Sequence, residues 1–395
     1  MKKVMYLGMA LVAGVLSLSS CSDDPKEAPS QTYDDATGLI LTVNGEPVIG
    51  KTATYVREGE AATLTLNSTF DLSAIPGVPE ALAKKIAGPG VIPGSAETVL
   101  SFPVTGDNTT FAGAGSNDYC TYEYSGVVSE KELKLDITKL ALKDLTIAGK
   151  WVPRPYDVNE DWDSDEYGTV YSEPIHAVWE SSAKFDFMGT PMAMNDLLKL
   201  LMTMPLLEDM SVRLPDALCE MLRDVTFGTD GNIIASYADL NSESETFAYL
   251  QSPSNMAQYV LKGNGNMLFY LNPQAVIAAG SRADATVPGG IDINNLLGNV
   301  MAQLAPMMSE GVPMHYTMAN DQLTVYLGTE TLLPLLKTNV VPLLRNKELV
   351  NQLVEAVKAD EDMGFIADAL PGMLASAADV IEGTSKLEIG LNFKK

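Results

Sequence analysis

Two histidines are all that this chain of 395 residues possesses, and His176 and His315 each stand alone in an apolar, strand-like stretch. A histidine-based metal centre or a Ser-His-Asp triad therefore has few available members. Other signatures are missing as well: there is no glycine-rich phosphate loop, no GxSxG elbow, no HExxH and no dinucleotide fingerprint. Paired-carboxylate hydrolysis needs only two acids that face each other, a juxtaposition that sequence does not display. The expectation is a chain without catalytic machinery.

The sharpest polar feature is the run Asp157, Glu160, Asp161, Asp163, Asp165 and Glu166. Asp161, Asp163 and Asp165 alternate, so their oxygens suit a hard cation such as calcium. The turn glycine and distal glutamate of an EF-hand loop are missing, however, and a solvated acidic loop explains the same residues. All three tryptophans (Trp151, Trp162 and Trp179) fall in this neighbourhood, with Tyr156, Tyr167 and Tyr171. Aromatic rings stack on sugars or on a partner protein, which makes Trp162 a candidate glycan contact; rings also pin loops to a domain surface. Methionine is abundant, at nineteen residues. Thioether side chains fill cores and also line adaptable apolar sites. Met192, Leu198, Met202, Met301 and Met308 are the candidate contacts for an apolar ligand.

The elements that must position these residues follow from periodicity. Asn44-Gly45 is a strong hairpin signal, and Lys51–Val56 and Ala62–Leu66 alternate as strands do. Pro76, Gly77 and Pro79 open a short helical segment near Glu80 to Ile86. The stretch 151–180 carries Pro153, Pro155 and the acidic run without apolar periodicity, and reads as a connecting loop. Beyond it, hairpins turn at Asp230-Gly231, Asn264-Gly265 and Asn320-Asp321. Helices are expected over Met192–Met204, from Pro215, over Ile293–Leu304, over Leu349–Val357, and over Asp362–Ile381 with a break at Pro371. Leu387, Ile389, Leu391 and Phe393 alternate as a final strand. This order lacks regular strand-helix alternation, so the expected class is α+β: an antiparallel, twisted sheet built from hairpins, with amphipathic helices packed on one face.

With 51 acidic residues against 26 basic ones, the net charge is −25. A nucleic-acid binder needs a basic face, so nucleic acid is not an expected partner. Forty-six per cent hydrophobic and nineteen per cent charged residues describe a folded chain long enough for a large core. Cys120 and Cys219 could form one bridge in an oxidising compartment or sit as two buried thiols, and their placement on separate elements favours buried thiols.

The N-terminus has the layout of a secretory signal: Lys2 and Lys3, an apolar run from Val4 to Leu18, then Ser19-Ser20-Cys21. Cysteine after small residues resembles the lipobox of bacterial lipoproteins, which implies cleavage before Cys21 and a lipid anchor on its sulfur. The Ser22-Asp23-Asp24 that follows looks like the signal sending lipoproteins of gut Bacteroidetes to the outer face of the outer membrane. With Leu41-Thr42-Val43-Asn44-Gly45-Glu46 and Phe227-Gly228-Thr229-Asp230-Gly231-Asn232-Ile233, the chain resembles uncharacterised surface lipoproteins of those bacteria. A sheet with long apolar helices is also similar, in architecture alone, to lipid-binding proteins of the bactericidal/permeability-increasing type.

The expected organisation is a signal peptide at 1–20, a polar tether at 21–36, a mainly β region at 37–150, the acidic aromatic loop at 151–180 and an α+β region at 181–395. The expected role is that of a non-enzymatic surface lipoprotein, held to the outer membrane through Cys21. It would bind an apolar or lipid-like ligand, or alternatively a glycan through the acidic aromatic loop.

Overall fold

A computed structural model describes residues 30–74, 84–104, 110–207, 210–239, 248–275, 307–358 and 367–395. Antiparallel sheet dominates it, with strand at 48% against helix at 22%.

The first two sheets stack face to face. One contains β1 (Gln31–Asp34), β4 (Thr52–Glu58), β5 (Ala61–Asn67) and β8 (Thr98–Pro103) in the order β1-β4-β5-β8. The other contains β2 (Leu39–Val43), β3 (Glu46–Pro47), β9 (Thr110–Ser116), β10 (Cys120–Val128) and β11 (Leu133–Leu142) in the order β3-β2-β11-β10-β9, with β2 parallel to β11. Period-two alternation dictates the stack. Leu133, Leu135 and Ile137 turn inward and are fully buried, while Lys134 and Asp136 turn out. Across the interface the rings of Phe102 and Phe111 stack with centroids 4.2 Å apart. The hydroxyls of Tyr33 and Tyr124 donate to the carbonyls of Ser129 and Ser101. A short ribbon, β6 (Thr69–Asp71) with β7 (Lys85–Ala87), flanks the stack.

The third sheet is the largest. Its order is β22-β21-β20-β12-β27-β26-β25-β24-β23, and β15 also pairs with β27. These strands are β12 (Gly149–Pro153), β15 (Ile175–Ser181), β20 (Leu222–Phe227), β21 (Ile233–Ala238), β22 (Tyr249–Gln251), β23 (Ala257–Gly263), β24 (Asn266–Leu271), β25 (Val312–Ala319), β26 (Gln322–Leu327) and β27 (Thr384–Lys394). The sheet curls until edge strand β23 meets the turn between β20 and β21. Asn232 bridges Gln258, and the Tyr259 N–H donates to the Gly231 carbonyl at 2.8 Å. The result is a nearly closed barrel. One continuous core runs from Tyr33 and Leu64 in the stacked sheets, through Trp151 and Tyr259, to Leu323 and Phe393 in the barrel.

Three small ribbons, β13 (Asp157–Val158) with β14 (Val170–Ser172), β16 (Phe185–Phe187) with β17 (Thr190–Met192), and β18 (Pro205–Leu207) with β19 (Met210–Arg213), decorate the sheet. The described helices are short, the longest being Lys347–Lys358 and Leu370–Glu382.

The α+β expectation is therefore corrected: this is a mostly β protein, and among the described residues the helices do not form a layer across a sheet. Much of the excess strand comes from stretches with strand-breaking composition. The proline-containing 151–180 stretch expected to be a loop contributes β12, β13, β14 and β15. Pro153 is tolerated because β12 pairs with β20 only through residues 149–151 and ends against β27. Gln31–Asp34, placed in the tether by its polarity, is the edge strand β1 with Tyr33 buried at 1% exposure. Ile86, read as helical, lies in β7. Pro371 stands in the first turn of the Leu370–Glu382 helix, where its missing N–H costs nothing, and residues 362–366 of the expected helix lie outside the described residues. The expected helix at 293–304 lies outside the described residues. Both cysteines are free, as Cys120 is buried and Cys219 half-buried.

Candidate functional site

The barrel positions an apolar cavity of about 570 Å³. Alternate residues of its strands face inward, and register brings them level. Met314 pairs with Met267, Val325 with Leu391, and Leu327 with Ile389. Val225, Phe227 and Ile233 close one wall; Leu332 and Leu335 reach in from the Thr329–Leu335 helix. Among the β27 residues that line the cavity, Phe393 is 2% exposed, Leu391 is half-buried and Ile389 is 45% exposed, so the cavity has its floor near Phe393 and opens near Ile389, before Leu387 returns to full burial.

The lining carries almost no polar function. Thr331 is the one hydroxyl-bearing residue among the described lining residues, and its Oγ1 donates to the Pro313 carbonyl at 3.2 Å. A volume of this size lies in the range of small-molecule sites. An apolar wall with no free donor or acceptor rewards hydrocarbon and penalises any polar group brought in without a partner. In the core that adjoins the cavity, Trp151 is fully buried with its Nε1 donating to the Ile147 carbonyl at 2.8 Å, and the Tyr259 hydroxyl donates to the Gly228 carbonyl at 3.1 Å. Burial pushes the Tyr259 phenol well above its ordinary value, so it stays a neutral donor.

On the barrel's outer face the two histidines meet in one cross-strand row, His176, Gly390, Tyr326 and His315. Their ring centroids lie 4.9 Å and 5.3 Å from that of Tyr326. Each is already occupied by a carboxylate, His176 by Glu388 at 3.0 Å and His315 by Glu330 at 2.5 Å. Burial pushes the Glu388 carboxyl up, but hydrogen bonds from His176 and Lys386 outweigh it and hold the group below the usual carboxylate range.

Of the candidates for the apolar site, Met308 lines the cavity and is 4% exposed. Leu198 and Met202 line a different groove, beside the Met194–Thr203 helix, and Met192 is half-buried in β17. Trp162 stands 81% exposed on the β13–β14 hairpin. Met301 and Cys21 lie outside the described residues. Asp161, Asp163 and Asp165 sit in the turn of that hairpin, where the Asp161 carboxylate accepts from the Asp163 N–H at 3.1 Å. Among the described residues no three His, Cys, Asp or Glu side chains converge on a point that would hold a metal ion. Sequence reading missed the strand-borne lining, from Phe227 through Met314 to Leu391. Inward alternation within each hairpin was the available signal, but an alternating strand serves a solid core just as well.

Comparison with protein-family models, with curated proteins and with solved structures finds no match to this chain. Fold and site are therefore defined by their own geometry.

Proposed function

We propose that this chain is a non-enzymatic binding protein that holds an apolar, lipid-like molecule in the barrel, its hydrocarbon part inside and any polar head at the mouth near Ile389. The single observation that carries the reading is the cavity of about 570 Å³ with its nearly unbroken apolar lining. Each buried methylene of such a ligand contributes about 0.8 kcal/mol, so an acyl chain alone supplies useful affinity. The signal-like N-terminus and Cys21 support the further proposal that a lipid anchor presents this barrel at the outer membrane. Among the described residues no helix is long and apolar enough to cross a membrane.

The test is titration with a fluorescent fatty acid. Leu391→Arg and Leu335→Glu place a charge within the lining and should lower affinity at least about tenfold, because a charge there has no partner. Saturable binding that both variants leave intact, in protein still folded by circular dichroism, would rule the cavity out as the site.

A further inference from the structure

A second groove, of about 670 Å³, lies between the β13–β14 hairpin and the Met194–Thr203 helix. It differs from the barrel cavity in chemistry. Tyr156, Tyr167, Glu173, Asn195, Lys199 and Thr203 bring hydroxyl, carboxylate, amide and amine groups to its wall, while Leu198 and Met202 supply apolar patches. Beside it stands Trp162, whose ring stacks on that of Tyr167 with centroids 4.3 Å apart and planes 25° from parallel. A tryptophan left 81% exposed is costly in water unless something covers it.

The platform is held in place. The Tyr171 hydroxyl donates to Glu166 at 2.7 Å, the Asn159 amide donates to the Ser164 hydroxyl, and Arg213 pairs with Glu160 while lying over the Tyr156 ring. Tyr156 also has a buried hydroxyl without a hydrogen-bond partner. Asn195 uses its carbonyl to accept from the Trp179 N–H, and among the described residues its amide N–H groups have no partner. The Asn195 amide, the Lys199 amine and the Thr203 hydroxyl oxygen, which donates to the Leu200 carbonyl and can still accept, stand beside a flat exposed ring and match a pyranose, which offers one apolar face of C–H groups and a rim of hydroxyls. The hairpin's carboxylates repel an anionic sugar.

We infer that this groove binds a neutral saccharide chain, with one sugar ring stacked on Trp162 and its neighbours hydrogen-bonded along Asn195, Lys199 and Thr203. The site is separate from the barrel cavity and does not depend on it.

The experiment uses the full chain with neutral hexasaccharides derived from glucan, mannan, galactan and xylan, alongside oligogalacturonate, chondroitin sulfate and a lysine hexapeptide. Affinity is read by calorimetry, and burial of Trp162 by the loss of iodide quenching of tryptophan emission. At least one neutral oligosaccharide should bind and protect the emission. Trp162→Ala should weaken it about tenfold, Trp162→Phe much less, and the cavity variant Leu391→Arg not at all. The inference is overturned if no neutral sugar binds, if only the anionic sugars or the lysine peptide do, or if Trp162→Ala leaves affinity unchanged in protein whose circular dichroism matches the parent.

Discussion

Phe227 and Tyr259 meet edge to face, ring centroids 5.2 Å apart, where the turn between β20 and β21 meets the edge strand β23. Phe227 is the last residue of β20 and Tyr259 belongs to β23, so this contact joins two parts of the sheet that curl towards each other. Phe227→Ala should cost about 3–5 kcal/mol, as aromatic truncation in a core does. Tyr259→Phe keeps the ring but strands the Gly228 carbonyl, at about 1–3 kcal/mol. Urea unfolding of the two variants tests the order, and a Phe227→Ala protein as stable as the parent would show that closure does not depend on this contact.

Gly390 is the narrow point of the outer histidine row. A Cβ built there would stand 2.0 Å from the Val325 carbonyl oxygen, so the backbones of β26 and β27 leave no room for a side chain. Gly390→Ala should destabilise by about 1–3 kcal/mol through overpacking. It should also part the rings of His176 and Tyr326, visible as a shift of the His176 imidazole resonances in NMR spectra.

Much of the local structure was legible, because turn chemistry acts within a few residues. Asn44-Gly45, Asn264-Gly265 and Asn320-Asp321 all adopt positive φ at both positions, the geometry that matches strand twist in a tight hairpin. Closure was not legible, because it depends on hairpins that no local signal tells to meet. The cavity was likewise hidden, since its wall takes alternate residues from strands as far apart in sequence as β20 and β27. Of the proposed contacts that are described, only Met308 reaches the cavity, and Met204 and Met221 are surface residues. In the acidic stretch, composition concealed strands: Trp151 is a fully buried core residue, and only Trp162 is presented to solvent as its neighbours suggested.

Lys51 gives a pH prediction. It is buried between the stacked sheets and the barrel, donating to the Pro89 and Gly90 carbonyls, and burial lowers its ammonium from 10.5 to about 7. In the unfolded chain the amine holds its proton up to its ordinary value. Between pH 7 and 10.5 the unfolded state therefore binds more protons, and this residue makes stability rise with pH. Below pH 7 both states are protonated and the desolvation penalty is fully present. Relative to Lys51→Met, the parent should gain up to about 1.4 kcal/mol per pH unit across that window. Urea midpoints of both proteins from pH 6 to 10 check it; parallel profiles would show that Lys51 is charged in the fold throughout.

Anchoring is tested at Cys21. Cells fed a tagged fatty acid should label the parent chain, while Cys21→Ser should remain unlabelled and leave the membrane fraction. Label retained on Cys21→Ser would place the lipid elsewhere.

The cavity's content is the most direct measurement of all. Native mass spectrometry of the chain purified without detergent, after equilibration with a mixture of bacterial lipids, should show one apolar molecule retained per chain and lost in Leu391→Arg. A folded parent that emerges with no bound molecule, or that keeps its lipid when Leu391 is replaced by arginine, would contradict a lipid-holding barrel.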